Sequence, residues 1–287
     1  MINITTIINN YIILLCRIIY TCYYVIKNKG KLDRSSMLYS SIKFYYHDVT
    51  AFMLNIGTSP EVAHPSFRKR LITTPLIYSI DYNNDVAVEL LLSYGANVDR
   101  YTQESKITPV YVSVLYTRDK CLDILLKYYP NINSQVDDKT PLELALLICY
   151  SYTYSIVKGD ELLSFYNHKN RYSINLSILY SLVSYFILYK DHNRNKNIDG
   201  WLKNKSLILR SVILRQFKNL CETDIRIMKS IRVKNYSNSL ISFFDIFVNN
   251  DSETLLNNLD DTYINDLPKN LQVYNNKVKT FLESVNK

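Results

Sequence analysis

A Thr-Pro pair recurs three times along the chain, at Thr74-Pro75, Thr108-Pro109 and Thr140-Pro141, with spacings of 34 and 32 residues. Threonine caps a helix by accepting a hydrogen bond from a backbone amide, and proline fits the first helical turn. A short apolar run, a polar turn and a second apolar run at helical spacing follow the first two pairs. This period predicts a solenoid of stacked helix pairs, because no single pair can bury its own apolar face.

The clearest copy, the second repeat, covers about residues 73–105, and the third repeat covers about 106–138. In the first of these, Gly95 follows the second apolar run and suits the left-handed position that ends a helix. Tyr129 stands at the same point of the next copy. A degenerate first repeat starts at Ser36-Met37-Leu38, and the copy that starts at Thr140 is degenerate as well.

The residues Thr74-Pro75-Leu76 and Gly95-Ala96-Asn97 resemble the ankyrin repeat. The histidine that this family carries after Thr-Pro-Leu is replaced by Ile77, Tyr111 or Glu143. The resemblance implies an all-α ankyrin-repeat solenoid that binds proteins through its loop tips and concave helix face. We predict ankyrin-like repeats over 35–189, a basic linker over 190–205 and a helical C-terminal region over 206–287.

The C-terminal region carries a second resemblance, at Cys221–Ile231, Ser242–Phe247 and Leu271–Tyr274. These segments resemble the part of poxvirus ankyrin-repeat proteins that precedes the F-box-like PRANC motif, which recruits the Skp1–cullin ubiquitin ligase. Leu267-Pro268 comes before the Leu-x-Val-Tyr segment, whereas the motif's Leu-Pro start would follow it. We therefore expect a shortened family member that lacks the motif and does not recruit the ligase. A decaying gene fragment without function is the alternative.

The N-terminal segment 1–34 contains an apolar stretch from Tyr11 to Ile26, interrupted by Arg17 and Thr21. A bilayer span needs about 20 residues, and a central arginine opposes insertion. No basic region precedes the stretch and no small-residue cleavage site follows it. We predict a buried or capping helix, or a partial repeat, with a membrane anchor over 11–26 as the alternative.

The formal net charge of +8 is concentrated in residues 190–234, which hold twelve Lys or Arg against four Asp or Glu. A solvated helix face is the ordinary explanation, and binding of nucleic acid or another acidic partner is the alternative. The candidate basic stripe comprises Lys203, Lys205, Arg210, Arg215 and Lys218.

The sequence contains no arrangement typical of an enzyme. The five cysteines form no Cys-x-x-Cys pair, the histidines lack zinc-ligand spacing, and there is no glycine-rich phosphate loop. Asp137-Asp138 and Asp260-Asp261 are predicted turn or cap residues. We expect a non-enzymatic protein without metal or cofactor, with reduced thiols as in the cytosol.

The loop tips after each second helix are therefore the predicted contact sites. The resemblance implies an intracellular viral protein that acts on host range or immune evasion in the host cell cytoplasm, by binding a host protein whose identity the sequence does not give. Arginine and tyrosine are favoured interface anchors. The candidate residues are Arg68, Lys69, Arg70, Asp99, Arg100, Tyr101, Gln135, Asp137 and Asp138.

Overall fold

The computed structural model describes residues 4–28, 32–65, 72–102, 106–157, 162–189, 197–234 and 240–249. Within these ranges the regular structure is helical apart from two short antiparallel hairpins and one isolated bridge. The chain forms two compact units, Met1–Ile178 and Leu179–Lys287. Helix α9 begins in the first unit and ends in the second.

The first unit is a series of helices with one two-residue hairpin. In the hairpin, β1 (His64–Pro65) pairs with β2 (Ile72–Thr73). The helices are α1 (Ile4–Lys27), α2 (Arg34–Lys43), α3 (His47–Asn55), α4 (Pro75–Asp81), α5 (Asp85–Ser93), α6 (Pro109–Leu115), α7 (Asp119–Lys127), α8 (Pro141–Val157) and α9 (Leu162–Leu188).

The Thr-Pro pairs begin helices as predicted. The hydroxyl oxygens of Thr74, Thr108 and Thr140 each accept a hydrogen bond from the amide three residues later, at 3.3 Å in all three cases. In the first repeat Asp33 takes this role, one helical turn before Ser36, the residue at the position equivalent to Thr74. Its carboxylate accepts a hydrogen bond from Ser36 N at 2.8 Å. Each cap satisfies an amide that the helix itself leaves without a partner.

Two residues with positive φ mark each repeat. The turn inside the helix pair has one at Tyr45, Asn83 and Thr117, with φ between 54° and 57°. The end of the second helix has one at Gly57, Gly95 and Tyr129, with φ of 84°, 86° and 54°. The equivalence of these positions confirms three stacked helix pairs, α2–α3, α4–α5 and α6–α7, and with them the predicted helical repeat fold.

The core lies between successive helix pairs. The first helices of the pairs bury most of their residues, with Ile42, Ile80 and Val114 at equivalent, fully buried positions. The second helices bury one face, so the stack holds a continuous apolar layer.

The copy that starts at Thr140 departs from the helix-pair pattern. Helix α8 continues to Val157 instead of turning after seven residues as α4 and α6 do. Helix α9 then starts at Leu162 and continues to Leu188. Apolar Ile148 and buried Cys149 occupy the positions where the second repeat has its polar turn, so the chain keeps helical geometry there.

Helix α1 packs on one side only, against α2 and α3. Thr21 and Val25 are buried, and the Arg17 guanidinium forms an ion pair of 2.7 Å with Asp48. Tyr24 meets the ring of Phe44 edge-on, with centroids 4.6 Å apart. The predicted helix is present and docks by one face on the first repeat, but the prediction that it is buried is wrong, because only 11% of Ile8–Lys27 lies inside the structure.

The second unit contains the end of α9, helices α10 (Ile198–Arg210), α11 (Val212–Ser230) and α12 (Phe243–Asn249), and a hairpin of β3 (Arg232–Lys234) with β4 (Leu240–Ser242). The prediction of a linker over 190–205 is wrong from Ile198 onward. Asn197 caps α10 by accepting from Gly200 N at 3.0 Å, and Trp201 is buried, stacked on Phe186 at 5.9 Å. The hairpin was not predicted either.

Several predicted features lie outside the described residues. They are Leu267-Pro268, the Leu-x-Val-Tyr segment Leu271–Tyr274 and the acidic pair Asp260-Asp261.

Candidate protein-interaction surface

The loops that connect one helix pair to the next are hydrogen-bonded to each other. We call the loops 56–65, 94–102 and 128–140 the loop edge. The Glu61 carboxylate accepts from Asn97 N at 2.7 Å and pairs with the Arg100 guanidinium at 2.7 Å. In the next junction, Asp99 Oδ1 accepts from Asn131 N at 2.6 Å. The same device, a carboxylate on the next loop's backbone amide, thus joins consecutive loops twice.

Asp99 and Arg100 therefore hold the loops together. Their role as contact residues stays a prediction, and each already has a partner within the stack. Tyr101 differs, because 54% of its surface is exposed beside them. The three residues occupy one loop tip. Arg100 is exposed as well, but its guanidinium is paired with Glu61.

The tip of the third loop is a tight hairpin. Val136 and Lys139 exchange two backbone hydrogen bonds of 3.0 Å, and the two residues between them, Asp137 and Asp138, have φ of 47° and 58°. Two consecutive residues of positive φ define a type I′ turn, which aspartate tolerates better than most residues. These φ values confirm the prediction that Asp137 and Asp138 are turn residues. Both aspartates are exposed, and Gln135 is half-buried beside them.

The negative charge of this tip affects the pKa of Tyr111 in α6. Burial raises the pKa of the Tyr111 phenol, and the charges of Asp137 and Glu143 raise it further. The tip and the start of α8 together place Asp137, Asp138 and Glu143 at this end of the loop edge. The predicted basic tip Arg68-Lys69-Arg70 lies outside the described residues.

The opposite edge of the stack contains the turns inside the helix pairs, and sequence analysis did not single it out. Fully buried Asn84 donates to Ile42 O at 2.8 Å and accepts from Ala87 N at 3.1 Å and His47 Nε2 at 3.0 Å. In the next pair Arg118 donates to Asp81 O at 3.2 Å. Each turn is thus bonded to the preceding repeat, as the loops are on the other edge.

A cavity of about 640 Å³ opens on this turn edge. Its lining combines two arginines with polar and aromatic side chains, among them Asn83, Tyr116, Arg118, Asp119, Ser151 and Arg171. No local pattern could have indicated it, because Arg171 comes from α9 and the others from turns and helices far away in sequence.

The buried cysteines have the chemistry of packed thiols. Burial raises the pKa of Cys121 and of Cys221 to about 12, so both stay protonated at neutral pH and are poor nucleophiles. In the part of the chain that the structure describes, no group of three or more His, Cys, Asp or Glu residues is placed to hold a metal ion.

The predicted basic stripe lies on α10 and α11 of the second unit. Lys203, Lys205, Arg210 and Arg215 are exposed, and half-buried Lys218 lies 3.5 Å from Glu222. The Lys205 ammonium stands 5.1 Å from the ring centroid of Trp201. Lys205 and Lys218 thus have intramolecular contacts typical of a solvated helix face.

No family model matches the chain. An ankyrin repeat protein of fowlpox virus (strain NVSL), FPV216, is 37% identical over 292 residues, which is 98% of this chain and 96% of the relative. A second fowlpox ankyrin repeat protein, FPV031, is 29% identical over 89% of this chain and 78% of its own length. Among solved structures, the Legionella pneumophila effector AnkC aligns over 66% of this chain and 54% of its own, with a TM-score of 0.45 and 14% identity.

Proposed function

Because this chain belongs to the poxvirus family of ankyrin repeat proteins, we propose that it binds a host protein through its loop edge, in the cytoplasm of the infected cell. Ankyrin repeats are protein-interaction modules, with function carried by surface side chains on a rigid scaffold. The proposed role is host range or immune evasion, by masking or sequestering that host protein.

The bonding of each loop to the next carries the proposal. Glu61 and Asp99 each bind an amide of the following loop, so the tips have their positions before any partner arrives. A preorganised surface loses less conformational entropy on binding than a flexible one. Tyr101 supplies an exposed aromatic anchor, and Asp137 and Asp138 supply negative charge.

These side chains favour a partner with a basic patch next to an apolar pocket. Acidic side chains steer a cationic partner and set its orientation, and a tyrosine inserted in a pocket contributes most to affinity. The inner helices α4 and α6 bury most of their residues, so the concave helix face contributes less exposed surface than the tips.

The test is affinity purification of the full chain from infected cells, followed by mass spectrometry. The variant combines Tyr101→Ala, Asp137→Asn and Asp138→Asn. Asparagine tolerates positive φ, so the type I′ turn is retained while its charge is removed. We expect a host protein that copurifies with the wild type and is lost with the variant.

The control combines Tyr116→Ala with Glu222→Gln, which removes an exposed tyrosine and an exposed carboxylate elsewhere. It should retain the host protein. Equal capture by both variants would overturn the loop edge as the site. We expect neither Skp1 nor a cullin among the captured proteins, and their copurification would show that this part of the proposal is wrong.

A further inference from the structure

Helix α1 has a second apolar face that the fold does not use. The face opposite α2 and α3 carries large side chains at spacings of three and four residues, each more than half exposed. We call it the outer face of α1. It consists of Ile8, Ile12, Leu15, Ile19, Tyr23 and Ile26.

The size of this face sets it apart from an ordinary protein surface. The helix is long and apolar enough to cross a membrane over Ile8–Lys27, and only 11% of that window is buried. The end of a repeat stack requires a polar outer surface for solubility. A continuous apolar face at that place marks an interaction surface.

The charge distribution indicates what covers the face. Residues 1–32 contain four cationic side chains and no carboxylate; the cations are Arg17, Lys27, Lys29 and Lys31. Arg17 points toward Asp48 on the docked side. The exposed Lys27 ammonium lies beside the outer face, 5.7 Å from the ring centroid of Tyr23.

We propose that α1 lies on an anionic membrane surface, with its outer face among the acyl chains and Lys27 among the headgroups. An apolar helix face flanked by lysines and exposed tyrosines binds anionic lipid in this way. A second copy of the chain would present the same cations and no carboxylate, so it lacks the charge complementarity that anionic headgroups provide.

The same contacts argue against a helix that spans the bilayer. Thr21 and Val25 are buried against the first repeat, and Arg17 is held by Asp48. Insertion across the bilayer would strip these contacts and place an arginine in hydrocarbon. The helix is therefore a peripheral contact, and its membrane binding is independent of the proposed host-protein site on the loop edge.

The experiment is flotation of the full-length protein with lipid vesicles. One set is phosphatidylcholine alone, and the other contains equal parts phosphatidylcholine and phosphatidylserine. We expect the protein to float with the phosphatidylserine vesicles, more weakly with phosphatidylcholine, and less as salt is raised. Alkaline carbonate should release the protein from the vesicles, and a protein that still floats with them after this treatment would overturn the peripheral arrangement.

The variant Ile12→Asn with Ile19→Asn should lower partitioning into the anionic vesicles about tenfold or more, because two apolar side chains no longer favour the acyl region. The matched control, Ile198→Asn with Leu209→Asn, changes equally exposed side chains of α10 and should float as the wild type does. Circular dichroism checks that both variants are folded.

Two results would overturn the proposal. One is a wild-type protein that does not float with either vesicle. The other is a stable dimer in sedimentation that becomes monomeric in the Ile12/Ile19 variant without any vesicle binding, which would assign the face to a second copy. If the Ile12/Ile19 variant still copurifies with the host protein, a failure of the membrane proposal leaves the proposed function of the loop edge intact.

Discussion

The second repeat and the copy that starts at Thr140 begin in the same way and end differently. Thr74 and Thr140 cap their helices at the same distance, 3.3 Å, and a proline follows each. Helix α4 stops after seven residues, whereas α8 continues for seventeen. The cap decides where a helix begins in both copies, and the residues nine or ten positions after the cap decide whether it stops.

Those later residues differ in what they bond. In the second repeat, Asn83 takes a φ of 56° and Asn84 bonds back to the preceding helix pair. In the other copy Cys149 is fully buried within the continuing helix. Asparagine tolerates positive φ and carries its own donor and acceptor, and cysteine in an apolar contact behaves as a small hydrophobe. The repeat is therefore broken by the loss of its turn residues.

The largest effect expected on this comparison comes from removing the turn. Asn84→Ala deletes one cap and two contacts with the preceding pair, among them the side-chain hydrogen bond to the carbonyl of Ile42. We expect a loss of about 2–4 kcal/mol in the free energy of unfolding. Urea unfolding followed by circular dichroism measures it. The same substitution at exposed Asn219 should cost less than about 0.5 kcal/mol, and equal losses would contradict the role of Asn84.

An asparagine introduced into the copy that starts at Thr140 should not restore the turn. Cys149→Asn puts an amide into a fully buried helical position, so we expect a loss of about 1–3 kcal/mol rather than a gain. Cys149→Ala serves as the control that removes the thiol without adding a polar group. Greater stability of the asparagine variant than of the alanine variant would show that this single position suffices to make the turn.

The shared start of the two copies predicts equal responses. Thr74→Ala and Thr140→Ala each remove one hydroxyl cap of the same length, so each should lower stability by about 1 kcal/mol. Thermal unfolding of the two variants tests this equality. A cost at Thr140 well below that at Thr74 would show that the longer helix no longer depends on its cap.

An effect of the same size is expected at the end of the second helix. Gly95 has a φ of 86°, and a Cβ there would meet nothing within 4 Å, so Gly95→Ala costs only backbone strain. We expect a loss of about 1 kcal/mol. The substitution Asn219→Ala at an exposed position again provides the reference in chemical denaturation. An unchanged stability of the Gly95→Ala variant would show that this position accepts a residue with a Cβ without strain. Tyr129 occupies the equivalent position of the next copy, at a φ of 54°.

The interaction surface was predictable in part. The pattern placed Tyr101 and Asp137-Asp138 at loop tips, where the structure has them. It did not show that Asp99 and Arg100 bond to neighbouring loops, because their partners Asn131 and Glu61 are more than thirty residues away. It also gave no indication of the cavity on the turn edge.

The amino-acid sequence by itself determined the repeat, its helix starts and its family, because caps, prolines and apolar spacing act over a few residues and recur with a constant period. Tertiary structure alone decided which tip residues face solvent, that Ile198–Arg210 is helical where a linker was expected, and that α1 docks by one face and exposes the other. Each of these depends on contacts between residues distant along the chain, such as Arg17 with Asp48 and Trp201 with Phe186. Local propensity carries no information about which distant surface a side chain will meet.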